Sequence, residues 1–524
     1  MTKQGRSAAH TFRRFGLESP GFWRSISPPA ADQPARPAGR LQAALTELGG
    51  VYLAFARFLM WRADLLDSDC LNALRAIDYS FPPIPRDTVP DILRRELGHP
   101  GDDLARHLEN DPLWSTLSRT AWLSWHRDLP VVVQVAREPL SESTIEEFEA
   151  GIRFLGHPEI RRVTAPRVLQ EFREWLRQGE SPTRERSYLE NLGRSHGITL
   201  VDYPALIPEI STSLVLCWPW IDGEPVSAMV RRGSVDAVTK LAVTILEQYC
   251  SLSLVDADLQ LDSVVIPPGS DRLVVQRLNR PVTVPPPAVN TGMKYLAAVL
   301  EGNASMTVQT LLTLAVGQST ADLETELLNT ISGIEPELKV HAWYPGSAST
   351  IESNWRALAR LEVTRPRPLY LDCLHRNLIA LGYWTGDAVA AGGRGIDTIS
   401  EAQWPVVQQV LKTSASQFRD PAVVREWSVG LGLFTLGAMR EANRLAEELR
   451  DNNLTLEVEM AEPELREAKG GPSLKIVVLA GALLVALLAS LRWGSSLHGT
   501  ATIVALTVAA VALIALFSVI GKIR

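Results

Sequence analysis

The chain has 524 residues, of which 46% are hydrophobic and 21% charged, and its formal net charge is -7. This length predicts two or three folding units, and the composition excludes collagen-like, low-complexity and wholly disordered proteins. The small net charge argues against a nucleic-acid-binding surface, so no nucleic acid is expected as a partner. Four cysteines lie far apart with no C-x-x-C pair, which favours a reducing compartment and argues against a structural zinc site.

Residues 1–40 form a basic, proline-rich N-terminal leader. The leader lacks the apolar run of a secretory signal peptide. Its aromatic side chains Phe12 and Phe15 flank Arg13 and Arg14, a combination that would suit an arm lying on an anionic membrane. The alternative, an unstructured leader, is the favoured prediction because of its prolines and charges.

The body of the chain combines strands with helices. Valine-rich residues 130–136 and residues 198–201 and 213–218 predict strands, and residues 264–266 and 272–276 predict a hairpin around a Pro-Pro-Gly turn. Helices are predicted at residues 41–62, 88–97, 143–155 and 235–254, the third of them beginning at Ser143 and Thr144 in a capping box. From residue 289 onward the pattern is nearly all helical. This order predicts a two-lobed α+β body.

Two uncharged apolar runs occupy the C-terminus, at residues 476–491 and 501–520. At about 1.5 Å per residue the second spans a bilayer core and the first nearly does. They predict a transmembrane helical hairpin over residues 475–522, after an acidic juxtamembrane linker at 451–474. Lys475 and Lys522 flank its ends, which places both ends and the bulk of the chain in the cytoplasm. Small residues at 501, 505 and 509 would allow homo-oligomers through the hairpin.

Five segments in order resemble the UbiB (AarF) family of atypical kinase-like membrane proteins: LGGVYL at 48–53, RADLL at 62–66, FPP at 81–83, ELG at 96–98 and WIDGEP at 220–225. The resemblance implies a helical N-terminal extension at 41–110, a kinase-like N-lobe at 111–225 and a helical C-lobe at 226–450. It also implies a role in quinone or isoprenoid lipid metabolism. The expected partners are membrane lipids, an isoprenoid lipid or a lipid-synthesis enzyme.

The phosphate-binding positions depart from the family. Kinases hold nucleotide phosphates with a lysine on the third strand, and that lysine of the family's V-A-V-K strand is replaced by Gln134. The family's K-x-G-Q segment reads AFAR here, with Ala54 and Arg57 at its ends. Its alanine-rich nucleotide loop falls at residues 114–122, where Trp114 and Trp122 would keep a phosphate away from the backbone.

The catalytic segment H-x-D-x-H-x-G-N appears as DADLQLDS, residues 256–263. Only Asp258, at the position of the base, is retained. Ser263 replaces the magnesium-binding asparagine, and Arg277 stands at the metal-binding aspartate of D-F-G, which puts a fixed positive charge where a divalent cation would sit. Asp256 or Asp262 could coordinate a displaced metal, an alternative that the sequence leaves open.

These substitutions predict a membrane-anchored pseudokinase that holds no cofactor and no metal, and that acts by binding a lipid or a partner. The alternative is an unorthodox UbiB-type ATPase or kinase that uses ATP and Mg²⁺ and retains activity through Asp258. A third hypothesis is a structural membrane organiser that oligomerises through its hairpin.

Overall fold

The computed structural model describes residues 3–17, 36–157, 160–179, 182–193, 200–317, 320–333, 347–361 and 367–414. All of them belong to the first of two compact units, Met1–Glu447. The predicted hairpin at 475–522, the linker at 451–474 and residues 415–450 of the predicted C-lobe lie outside the described residues. Among the described helices, none combines the length and the apolar character needed to cross a bilayer.

Helices make up most of the described chain. Those before the first sheet and around it are α1 (Lys3–Arg14), α2 (Pro37–Leu48), α3 (Gly50–Leu59), α4 (Ser68–Arg75), α5 (Val89–Leu97), α6 (His99–Arg106), α7 (Glu142–Ile152), α8 (Pro166–Gly179) and α9 (Pro182–Gly193). Those that follow are α10 (Val226–Arg231), α11 (Val235–Cys250), α12 (Pro286–Leu300), α13 (Ala304–Val316), α14 (Ala321–Gly333), α15 (Ser347–Arg360), α16 (Leu369–Ala390) and α17 (Thr398–Ser414). The helix predicted at 88–97 is confirmed by α5.

The described strands form three small antiparallel sheets. The first contains β1 (Pro112–Ser115), β2 (Arg119–His126), β3 (Leu129–Ala136) and β4 (Val215–Pro219) in that order. The second places β5 (Glu224–Pro225) beside β7 (Val264–Ile266), which pairs with β8 (Val274–Val275); the third pairs β6 (Leu254–Asp256) with β9 (Pro281–Thr283). The strands predicted at 130–136 and 213–218 and the hairpin at 264–276 are therefore confirmed, and the described body is a mixed α and β fold.

Strand β3 is buried on both faces, which explains its continuous run of valines. Side chains alternate along a strand, and Val131, Val133 and Val135 belong to a small core shared with α5 and α6. Val132 faces the main core instead. Gln134 shares that second face with Val132, and for this reason its amide lies inside the protein, with only 3% of the residue exposed.

Helix α3 is buried on all sides, from Val51 to Leu59. Its rings pack edge-on or tilted against those of α7 and α8, with Phe55 5.0 Å from Phe172 between ring centroids. The single helix predicted over 41–62 is wrong, because Gly49 interrupts it. Its φ of 61° and ψ of -163° lie in a region that essentially only glycine adopts, and this turn separates α2 from α3.

The start of the leader is a helix rather than an unstructured segment or a membrane arm. Phe12 on α1 is fully buried, Phe15 just after the helix is 8% exposed, and both belong to the main core. The Phe12 ring meets the Tyr52 ring edge-on at 6.2 Å between centroids. The sequence prediction failed here because an amphipathic helix with arginines on its outer face has the same composition as a basic leader.

Three local predictions differ from the structure. The helix expected to begin at the capping box of residues 143–147 begins earlier, because the hydroxyl of Ser141 accepts from the Thr144 N–H at 3.2 Å. Helix α11 ends at Cys250 rather than 254. Of the strand predicted at 198–201, only Leu200 and Val201 are described, and neither is in a strand.

The side chain of Glu247, on α11, holds Leu200 and Val201. Its two carboxylate oxygens accept from the Leu200 N–H at 2.7 Å and the Val201 N–H at 3.3 Å. Burial raises the pKa of Glu247 to about 7, against the lowering effect of these two hydrogen bonds.

Candidate functional site

Asp258, at the predicted catalytic base position, forms a buried ion pair. Its Oδ1 accepts from Nε of Arg57 at 2.8 Å, and the two side chains are 8% and 9% exposed. Nε of Arg280 lies 4.0 Å from the other oxygen. Helix α3 carries Arg57 into this contact because the helix is surrounded by the core, so an arginine on it has no route to solvent. The carboxylate is thus flanked by two guanidinium groups.

Arg57 is itself held by neighbouring elements. Its guanidinium lies over the ring of Tyr79, 5.5 Å from the centroid. Arg376 on α16 donates from Nη2 to the Arg57 carbonyl at 3.4 Å. The other end of the AFAR segment plays no part in the site, since Ala54 is buried in the main core.

Asp256 has a structural position rather than an open one. Its carboxylate accepts from the backbone N–H groups of Asp258, Asn279 and Arg280 at 2.9–3.0 Å. Burial raises the pKa of Asp256, against these three hydrogen bonds. Asn377 on α16 also donates to the Asp256 carbonyl at 2.8 Å. Asp256 therefore ties the predicted catalytic segment to the segment that carries Arg277.

Ser263 and Asp262 of the catalytic segment each have a hydrogen-bond partner. Ser263 donates to the Gln260 carbonyl at 2.6 Å. The Ser227 hydroxyl donates to Asp262. Within the part of the chain that the structure describes, no group of three or more His, Cys, Asp or Glu side chains is placed to hold a metal ion. Asp256 and Asp262 thus point to separate partners.

Arg277 lies next to this segment and under an aromatic ring. Its Nη2 donates to Gln260 Oε1 at 2.9 Å, and its guanidinium lies 4.8 Å from the centroid of the Trp114 ring. Burial lowers the pKa of Arg277 to about 10, and repulsion from Arg57 and Arg119 adds to this shift more than Asp258 offsets it. The ring of Trp114, predicted to keep phosphate away from the backbone, thus packs against the face of the Arg277 guanidinium.

Gln134 belongs to a second buried polar group. Its Nε2 donates to Glu185 Oε2, on α9, at 3.1 Å. Arg119 on β2 forms an ion pair with the same carboxylate and donates from Nη2 to the Asn279 carbonyl at 2.5 Å. Burial raises the pKa of Glu185, and Arg119 opposes that shift. A guanidinium from the neighbouring strand therefore supplies the cation that Gln134 lacks.

Sequence reasoning missed Arg119 and Glu185. Antiparallel register pairs Ala121 with Gln134. Residues two apart on a strand share a face, so Arg119 lies diagonally beside Gln134 on the inner face of the sheet. A search for arginine on that face of β2 could have found Arg119 from the sequence alone. Glu185 gave no such signal, because α9 reaches the sheet only through tertiary packing.

The RADLL segment anchors the N-terminal helices to the body. Arg62 donates from Nε and Nη2 to both oxygens of Asp64, and from Nη1 to Glu171 on α8, each at 2.8 Å. Arg367 donates from Nη2 to Oδ2 of Asp64 at 2.6 Å, and its Nε lies 3.2 Å from Oδ1 of Asp372 on α16. Burial alone would raise the pKa of Asp64, but Arg62 and Arg367 outweigh it and hold that pKa well below its usual value.

Taken together, the predicted positions meet only in part. Arg57 and Asp258 touch, and the charge of Arg277 acts on both. Gln134 reaches them only through Glu185 and Arg119. This donor set is poorly suited to a magnesium-bound nucleotide, because the base position is paired to arginine and the metal position carries a guanidinium.

No family model matches the chain. A stretch of 117 residues, 22% of this chain, is 32% identical to 21% of a probable protein kinase UbiB from Marinobacter nauticus. A stretch of 69 residues, 13% of this chain, is 35% identical to 17% of an uncharacterized protein from Synechocystis. The chain thus spans about a fifth of the length of these curated relatives.

Among solved structures, the chain is similar to a complex of Rv3197 with erythromycin from Mycobacterium tuberculosis. The sequences are 14% identical, the similarity covers 70% of this chain and 90% of that chain, and the TM-score is 0.39.

Proposed function

We propose that this chain is a UbiB-like pseudokinase, anchored to a membrane by residues 475–522, that acts by binding a lipid or a lipid-synthesis enzyme rather than by phosphoryl transfer. The observation that carries the proposal is the buried ion pair between Arg57 and Asp258. The similarity to a UbiB kinase over 22% of the chain supports the family assignment.

The chemistry of phosphoryl transfer supports the loss of activity. A general base must accept a proton from the attacking hydroxyl, and it must be within hydrogen-bond reach of it. Asp258 offers Oδ1 to Arg57, while Oδ2 faces Arg280. A substrate hydroxyl could reach the Asp258 carboxylate only by displacing Arg57 from Oδ1 or by entering between Oδ2 and Arg280.

The proposed architecture follows the same reasoning. We assign the sheet β1–β4 with its helices to a kinase-like N-lobe and helices α10 to α17 to a helical C-lobe. Helices α2 to α6 form the N-terminal extension, which delivers Arg57. The membrane anchor and the cytoplasmic location of the body rest on the apolar runs at 476–491 and 501–520 and on their flanking lysines.

The deciding experiment measures ATP binding and hydrolysis by the full-length chain in detergent micelles, with and without Mg²⁺. We expect no saturable Mg²⁺-dependent binding and no hydrolysis. The alternative function, an ATPase acting through Asp258, is tested by Arg57→Gln, which removes the cation from the carboxylate. Hydrolysis by wild type or R57Q that disappears when Asp258→Asn is added would contradict the pseudokinase proposal.

The lipid-binding part is tested on the same preparation. Lipids that co-purify with the chain are extracted and identified by mass spectrometry, and we expect an isoprenoid lipid enriched over the bulk membrane. The chain with an unrelated anchor in place of 475–522 serves as the matched control. If the body binds the lipid, the chain with the unrelated anchor should retain the same lipid. Loss of lipid binding with the new anchor would favour the membrane-organiser hypothesis.

A further inference from the structure

Several buried arginine side chains lie close to Arg277. Among the described residues, five guanidinium groups less than 10% exposed meet there: Arg57, Arg119, Arg277, Arg280 and Arg376. Two buried carboxylates form ion pairs with these groups, Asp258 with Arg57 and Glu185 with Arg119. Because arginine stays protonated in proteins, each of these five side chains carries a positive charge.

Arg277 is the guanidinium with the fewest partners. The residue is 9% exposed, and its Nη2 donates to Gln260. Its Nε and Nη1 are buried and have no hydrogen-bond partner among the described residues. Buried donors of this kind are rare in native structures, and each needs an explanation such as a bound ion or water.

The surroundings of Arg277 favour an anion as that explanation. Arg57 and Arg119 repel its charge while Asp258 and Asp262 attract it, and the repulsion from Arg57 is the strongest of the four. Trp114 covers one face of the guanidinium, and the donors without a partner, Nε and Nη1, lie on its edge. The group lies just beneath the surface, since Trp114 and Gln260 are half-buried and Asp262 is exposed.

We propose that Arg277 anchors a metal-independent binding site for a phosphate-type oxyanion. Oxyanions of phosphate accept several charge-assisted hydrogen bonds from arginine, and guanidinium is the preferred group for them. Arg277 would contact the anion directly, while Arg57 and Arg119 contribute positive potential. The inference rests on the proposed function, because it treats the site as one that no longer holds magnesium and a nucleotide.

Calorimetric titration of the full-length chain in detergent micelles tests the site, first in EDTA and then with Mg²⁺ in place of EDTA. The probes are inorganic phosphate, inorganic diphosphate and farnesyl diphosphate. We expect inorganic diphosphate to bind without metal and to bind more weakly as salt rises. Tighter binding of farnesyl diphosphate would identify a lipid as the source of the anion, and equal binding would identify a free diphosphate.

The variant Arg277→Gln removes the anchoring charge, and Arg95→Gln is the matched control, because it removes the same charge from an exposed position on α5. We expect R277Q to weaken diphosphate binding by at least about tenfold, the factor that a hydrogen bond to a charged group typically contributes. R95Q should bind as wild type does. Without ligand, R277Q should unfold at the same temperature as wild type or higher, since it removes a buried charge whose pKa burial already lowers to about 10.

Three results would overturn the inference: no binding of any probe by wild type in EDTA, wild-type affinity in R277Q, or binding that requires Mg²⁺. The first two would leave the pseudokinase proposal intact. Strictly Mg²⁺-dependent binding of ATP would contradict the proposed function as well. The wild-type titration decides the matter even if R277Q does not fold.

Discussion

Replacing Arg57 with methionine removes the charge from α3 while it keeps most of the side-chain volume. Asp258 would then be a buried carboxylate whose nearest remaining cation is Arg280, with Nε at 4.0 Å. Removing one partner of a buried ion pair typically costs 3–5 kcal/mol, and the nearby Arg280 places the expected cost of R57M at about 3 kcal/mol.

A double-mutant cycle isolates the pair. Asp258→Asn alone leaves Arg57 without its carboxylate, and the double variant leaves neither charge of the pair. We expect the double variant to be more stable than the two single costs predict, with a coupling energy of about 1–3 kcal/mol. Urea unfolding followed by tryptophan fluorescence measures each variant without adding salt.

The control is Arg36→Met, which breaks the exposed ion pair between Arg36 and Asp69. Their side chains are 80% and 58% exposed, and such pairs contribute about 0.5 kcal/mol or less. If R57M were as mild as R36M, or if the two changes at 57 and 258 were additive, Asp258 would not be held as described. The support for the proposed loss of activity would then be withdrawn.

Three further changes test other parts of the structure. Phe12→Ala should cost about 3 kcal/mol, because it opens a cavity beneath α1, whereas an arm lying on a membrane would leave the stability of the body unchanged. Gln134→Lys should lower stability and leave Mg²⁺–ATP binding absent, because Arg119 already pairs with Glu185 and a lysine adds a like charge. Glu247→Gln should flatten the pH dependence of unfolding between about 4.5 and 7.

The sign of the last effect follows from the direction of the shift. Folding raises the pKa of Glu247 from 4.5 to about 7. Between these two pH values the folded state therefore binds more protons than the unfolded state. The stability from this group is complete below about 4.5 and is lost as pH rises through 7. A wild-type curve parallel to that of E247Q, measured by urea unfolding from pH 5 to 8, would show that Glu247 does not titrate in this way.

Phe12→Ala without loss of stability would contradict the packing of α1. Recovery of nucleotide binding in Q134K would show that one missing lysine, rather than the whole arrangement of arginines, had disabled the site. Both variants are compared with R36M for the effect of a surface change.

Sequence patterns predicted elements well where one segment specifies its own structure. The valine run of β3, the hairpin of β7 and β8, and α5 were all expected within a few residues. The prediction of a single helix over 41–62 was wrong. Two consecutive glycines can either weaken a helix or end it, and here Gly49 ends α2. Helix α1 was missed because its buried face is visible only once Tyr52 is known to lie against it.

At the candidate site, too, the sequence predicted some features and not others. The substitutions at 57, 134, 263 and 277 could be read directly from aligned motifs. Their consequences could not, because Arg57 could have pointed to solvent and Gln134 could have been a simple core amide. The motifs did not point to Glu185 or Arg119, since neither occupies a position at which the resemblance implies a charge. Of the two, only Arg119 could have been found from the sequence, by its place on one face of β2.

The sequence by itself determined local features. These are the alternation of residues along β3, the positions of the apolar runs, and the residues that differ from the motifs of the UbiB family. Tertiary structure alone decided that Arg57 meets Asp258 across 201 residues of chain. It also decided that a cation from β2 meets a carboxylate from α9 beside Gln134. The physical reason is that secondary structure follows from contacts within a few residues, whereas the partner of a buried charge depends on which distant elements pack around it.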